Sequence, residues 1–221
     1  MKNITFQDIK NNKEFQTYIQ KGDELLGVMG YTEHSFVHAG RVAYTAASIL
    51  SSLGYSEREK ELGKIAGYIH DIGNMVNRVD HAQTGAILAF NILTRMEMPP
   101  EEIATIVSAI GNHDEGTGQS VNTVSAALIL ADKSDVRRSR VRNTDFATFD
   151  IHDRVNYAVE DSEVKVDGEK RIILLEMKID VTICSLMEYF EIFLNRMMMC
   201  RKAADFLGAT FQLVINGTKL L

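Results

Sequence analysis

Apolar residues recur at helical spacing along most of the first 143 positions, and the pattern changes beyond them. A first helix is expected over Asp8–Met29, stopped by Gly30, and a second carries His34 and His38 to Leu53, with Gly54 as its stop. Ser56 with Glu59 forms a capping-box signature and opens a third helix that ends at His70-Asp71-Ile72-Gly73. Asp80 with Gln83 opens a fourth in the same way, running towards Met96. Pro99-Pro100 begin a fifth that ends near His113, and a sixth spans about Thr123–Val141.

After Asn143, Tyr157–Val166 and Arg171–Asp180 are rich in β-branched residues, with Asp167-Gly168 between them as a hairpin turn. Ile173, Leu175, Met177 and Ile179 share one face of the second strand. A long apolar helix over Val181–Phe206 stops at Gly208, and Thr210–Ile215 is a further strand. The expectation is a mainly α chain: a helical bundle over 1–143 and a small α+β unit of β-β-α-β order over 144–221. Met187, Phe190, Leu194, Met197 and Met198 give the last helix a wide apolar face, suited to its own sheet, to a lid over the site or to a homodimer interface.

Composition narrows the classes. Hydrophobic residues make up 45% and charged residues 24%, ordinary for a globular protein, and the net charge of −6 argues against binding extended nucleic acid. Met1–Asp8 holds no apolar run that would mark a secretion signal, and no stretch reaches the roughly 18 apolar residues of a membrane span. Cys184 and Cys200 have neither thiolate-metal nor disulfide-framework spacing, as expected for buried thiols in a reducing cytoplasm.

The chemistry sits in His38, His70-Asp71, His81, His113 and Asp132, which fall at helix ends or on core-facing stretches. Each alone is an ordinary structural histidine or paired aspartate. As a set, imidazoles and carboxylates without thiols suit a hard-to-borderline divalent metal. A second dipeptide, His152-Asp153, has no such company and is read as structural or supporting.

The set resembles the HD-domain metal-dependent phosphohydrolases, from about His34 to about Asp135. The likeness rests on His38 followed by Arg41-Val42-Ala43, on His70–Gly73, on His81 with Gly85-Ala86, on Ala109–His113 and on Ala131-Asp132-Lys133. It implies an HD-type helical bundle in which His38, His70, Asp71 and Asp132 ligate one metal. His81 and His113 are the mark of binuclear members, where Asp71 would bridge two ions. The chain is similar to the HD-GYP cyclic-dinucleotide phosphodiesterases and to bacterial diadenosine tetraphosphate hydrolases. It departs from the former at Asn74, where they have lysine, at Asp114, where they have histidine, and at Gln119-Ser120, where they have Tyr-Pro.

The resemblance implies one or two divalent ions (Fe, Mn, Ni, Co, Zn or Mg). It also implies hydrolysis of a phosphoester or phosphoanhydride in a nucleotide or related small compound, by attack of a metal-bound hydroxide. His70 and Asp71 anchor that chemistry, and Asp114 and Glu115 are candidates to protonate the leaving oxygen. Arg41, Arg78, Lys133 and Arg137 are the expected phosphate contacts, the last within a dense run, Arg137–Arg142. A diiron oxygenase with the same ligands and a nucleotide-binding sensor without turnover are the competing readings.

Overall fold

A computed structural model describes residues 2–221. Capping decides where most helices begin. Thr5 caps α1 (Phe6–Asn11) and Asn12 caps α2 (Lys13–Val28), accepting from Glu14 N at 2.9 Å. The single helix expected over Asp8–Met29 is therefore two, because Asn12 leaves helical geometry to serve the second. Ser35 caps α3 (Phe36–Ser52), which puts His34 in the preceding loop and not in the helix. The Ser56–Glu59 capping box opens α4 (Glu57–Ile69), as its sequence indicates.

The second box does not form. Asp80 adopts a left-handed conformation (φ 56°) with no side-chain cap, and α5 spans His81–Arg95. Gln83 instead donates to Gly111 O and Thr117 Oγ1, at 3.2 and 3.1 Å, holding the loop after α6 (Pro100–Gly111). Between α4 and α5 the chain makes a 3-10 turn, Ile72–Met75. Gly73 sits there because any Cβ would collide with the His81 carbonyl. α7 (Thr123–Ser134) ends seven residues before Val141; Asp135 leaves the helix, and a second 3-10 turn covers Arg138–Arg140.

The tail begins with α8 (Ile151–Ala158), unforeseen in the sequence, capped by Asp150. It takes the residues expected to start the first strand, so β1 is Val159–Asp167. β1 pairs antiparallel with β2 (Ile172–Ile179), which pairs in parallel with β3 (Thr210–Ile215); β4 (Thr218–Lys219) closes the order β1-β2-β3-β4. The crossover is α9 (Leu186–Phe206), begun by a Ser185–Glu188 capping box and not at Val181. The fold is thus mainly helical, with a small four-stranded sheet at the C-terminus.

α9 packs Tyr189, Phe193, Met197, Cys200 and Ala204 inward, while Met187, Leu194 and Met198 of the expected apolar face are exposed. Both cysteines are buried and unpaired. The apolar core is continuous from α1–α7 through α9 to the sheet. No helix among the described residues is long and apolar enough to cross a membrane.

Candidate metal centre

Helix ends deliver the site. His70 caps α4 and Asp71 follows, while His113 lies just past α6 and Asp132 in the last turn of α7. Three helix C-termini, whose dipoles favour positive charge, therefore converge. His38 comes from the first turn of α3 and His81 is the first residue of α5.

Asp71 divides its oxygens between two groups. Oδ2 lies 3.2 Å from His70 Nε2 and 3.6 Å from His38 Nε2, and Oδ1 lies 3.4 Å from His81 Nε2 and 3.7 Å from His113 Nε2. Asp132 Oδ1 faces the first group, 3.4 Å from His38 Nε2 and 3.6 Å from His70 Nε2. All six expected ligands are therefore together, in overlapping sets whose donor atoms lie within 4.8 Å of one another.

Every imidazole is turned the same way. The Nδ1 atoms donate to Asp135 Oδ2 from His38 (2.8 Å), to Gly67 O from His70 (2.9 Å), to Arg78 O from His81 (3.0 Å) and to Ile110 O from His113 (2.6 Å). Carbonyl oxygens only accept, so the rings they hold are protonated on Nδ1 and aim Nε2 inward. His70 and His113 use carbonyls in the last turns of α4 and α6, Gly67 O and Ile110 O.

The residues fit a cation on their own geometry. His38 Nε2 and His70 Nε2 are buried without a hydrogen-bond partner. His81 Nε2 and His113 Nε2 face each other at 3.2 Å, and two lone pairs at that distance repel unless a proton or metal ion intervenes. Burial opposes charge on His70, but Asp71 and Asp132 raise its pKa to about 10, so the metal-free ring holds a proton where a cation would sit. Burial, with His113 and Arg78 nearby, lowers His81 to about 4 and keeps it neutral. Asp71 is held well below the usual carboxylate range: burial works against this, and His70 with the other imidazoles prevails.

A cavity of about 500 Å³ opens over the ligands, lined by Arg78, Lys133, Arg140 and Arg196 among others. Of the expected phosphate contacts, Arg78 and Lys133 are there. Arg41 and Arg137 are not: both pair with Asp135, the residue behind His38, at 3.0 and 2.9 Å. Arg137 also pairs with Glu33 at 3.0 Å. Within the Arg137–Arg142 run, Arg140 is buried and donates to Glu33 O and Asp135 O.

Glu115 does not suit the proton-donor role. Lys133 Nζ lies 2.6 Å from its Oε2 and Arg196 Nε 2.6 Å from its Oε1; these cations outweigh burial and lower its pKa to about 2. Asp114, in the loop after α6, accepts from Gly116 N at 3.2 Å and does not line the cavity. His152 and Asp153 line the cavity wall from α8 and belong to none of the metal-compatible sets.

Sequence reasoning missed Asp135, Phe193 and Arg196, and reached Arg140 only as a member of the Arg137–Arg142 run. Asp135, one helical turn past Asp132, carries a local signal; the others reach the site only through tertiary packing. His34 also lines the cavity, its Nε2 3.9 Å from Asp71 Oδ2 and its Nδ1 donating to Thr32 O at 2.7 Å.

A helical bundle presenting inward-aimed histidines and aspartates from helix ends defines a metal-binding class. The family model for the HD domain matches residues 35–145, half of the chain, and the chain belongs to that family. It is 26% identical over 192 residues to an uncharacterized protein of Methanocaldococcus jannaschii, covering 76% of this chain and 74% of that one. Its structure is similar, at a TM-score of 0.44 and 24% identity, to the crystal structure of a predicted HD superfamily hydrolase from an uncultured Thermotogales bacterium. That match covers 57% of this chain and 68% of the other.

Proposed function

We propose that this protein is a metal-dependent phosphohydrolase acting on a small phosphorylated compound, a nucleotide being the expected class. The observation that carries the reading is the placement of cationic side chains, Arg78 and Arg196 above all, on the same cavity that Asp71, His81, His113 and Asp132 of the candidate ligand set line. Guanidinium groups match phosphoryl oxygens, and phosphoryl transfer is catalysed mainly by positioning and charge neutralisation.

The division of Asp71 supports two ions sharing that carboxylate, one with His38, His70 and Asp132 and one with His81 and His113. Bound divalent ions would supply Lewis acidity and water made acidic enough to act as a nucleophile near neutral pH. The chain's own residues do the rest. Asn74 Nδ2 donates to Asp71 Oδ1 at 2.9 Å and fixes the shared carboxylate. Arg78 donates to Asn74 Oδ1 at 3.3 Å and presents its charge to the cavity. Lys133 holds Asp132 Oδ2 at 2.8 Å, leaving Oδ1 for the centre.

The test is elemental analysis of protein purified without a His-tag or chelator. A screen of nucleotides and dinucleoside polyphosphates with Mn, Fe, Co, Ni, Zn and Mg follows. Phosphate release with a metal-to-chain ratio near two is the expected result. A ratio near one would remove His81 and His113 from the ligand set. Iron-specific oxygen consumption without phosphate release would replace the reading with an oxygenase.

A further inference from the structure

Arg196 belongs to α9, outside the residues matched by the family model, yet it lines the cavity over the metal centre. Its Nε is committed to Glu115 Oε1 at 2.6 Å. Its guanidinium carbon stacks 4.4 Å from the centroid of the buried Phe193 ring. A guanidinium has five N–H donors in a fixed plane. The ion pair takes the Nε donor, and the two Nη groups have no hydrogen-bond acceptor among the described residues. The side chain is 27% accessible, and the space it faces includes the cavity. Arg140, by contrast, donates both Nε and Nη1 to backbone carbonyls.

Such a group, held at one edge and on one face with its other edge open, is built to receive a planar or tetrahedral oxyanion. We propose that Arg196 is the anion fork of this cavity, gripping two oxygens of the substrate's phosphoryl group, so that the C-terminal unit completes the site. The inference rests on the phosphohydrolase reading of the same cavity. Glu115 and Phe193 act as positioning residues: one fixes Nε, the other fixes the plane. Lys133 holds Glu115 from its second oxygen and so ties the fork to Asp132.

The probe is inorganic phosphate, titrated calorimetrically into the full chain loaded with the metal found by elemental analysis. Arg196→Lys keeps the charge beside Glu115 and removes the fork, and it is expected to weaken phosphate binding about 10- to 100-fold. Metal stoichiometry and melting temperature should stay unchanged. Phe193→Leu leaves the ion pair and should weaken phosphate binding by a smaller factor. Phosphate affinity unchanged in Arg196→Lys but lowered in Arg78→Ala would overturn the fork and leave the phosphohydrolase reading standing. Metal or melting temperature lost together with phosphate affinity in both α9 variants would show a structural role and also overturn it. A loaded wild-type protein that binds no phosphate would overturn both.

Discussion

Asp71 offers one oxygen to each of two imidazole groups, and its neighbour His70 holds the proton that a metal ion must displace. With a pKa of about 10 in the metal-free chain, His70 is protonated at neutral pH, while ligation needs its Nε2 lone pair. Binding therefore releases a proton, and apparent metal affinity should rise about tenfold per pH unit between about pH 7 and 9. Calorimetry in buffers of different ionisation enthalpy measures that proton directly; a pH-independent affinity would show that metal binding displaces no proton from His70. Asp71→Ala and His70→Ala should abolish metal binding and phosphate release, whereas Asp153→Ala should retain bound metal. Asp135→Asn keeps an acceptor for His38 Nδ1 but loses its charge, and should lower metal affinity by about tenfold or more with the circular dichroism spectrum unchanged. Equal affinity would show that Asp135 serves only Arg41, Arg137 and Arg140.

At the scale of elements, close helix contact aims these side chains. α4 crosses α3 with Gly67 against Ala43, where an added Cβ would lie 2.8 Å from the Ala43 Cα. Backbone meets backbone there, so Gly67→Ala must push the helices apart and move His70 and Asp71, which follow on the same turn. A loss of about 1–3 kcal/mol in urea unfolding is expected, with weakened metal binding. Unaltered stability would show that the crossing is loose. The candidate ligand residues were legible in the sequence as a set of imidazoles and carboxylates; the Ser56 box and the paired prolines mark only the N-termini of α4 and α6, while His70 and His113 lie at the opposite ends. Signals failed where tertiary geometry overrode them. Asp80 has the residue type of a cap but a left-handed backbone, set by the tight approach of Gly73 to His81. α8 has too few residues for a period to show, and its Asp150 cap resembles any loop aspartate. Arg196 was invisible as a cavity residue because its partner, Glu115, is far away in sequence, and Arg140 showed only as part of a basic run because its partner Glu33 is farther still.

Across the whole molecule, the C-terminal unit is joined to the bundle by apolar packing of α9 on α7 and by the partly buried chain Asp132–Lys133–Glu115–Arg196. Glu115 is the middle of that chain and ionised nearly to its end: its pKa falls from an ordinary 4.5 to about 2 on folding. A depressed carboxylate stabilises the fold above its unfolded pKa, and that contribution is lost as pH falls through the interval from about 4.5 to 2. Such a shift corresponds to up to about 3 kcal/mol. Glu115→Gln removes this dependence and leaves Lys133 and Arg196 facing a neutral amide, so at pH 6 the variant should be the less stable protein. Near pH 2 the wild-type side chain is itself approaching neutrality, and the two stabilities should draw together. Urea unfolding of metal-free protein at pH 6, 4 and 2.5 measures the gap. A gap that stays constant with pH would mean Glu115 is not held by its two cations, and the link between the C-terminal unit and the metal centre would then rest on apolar packing alone.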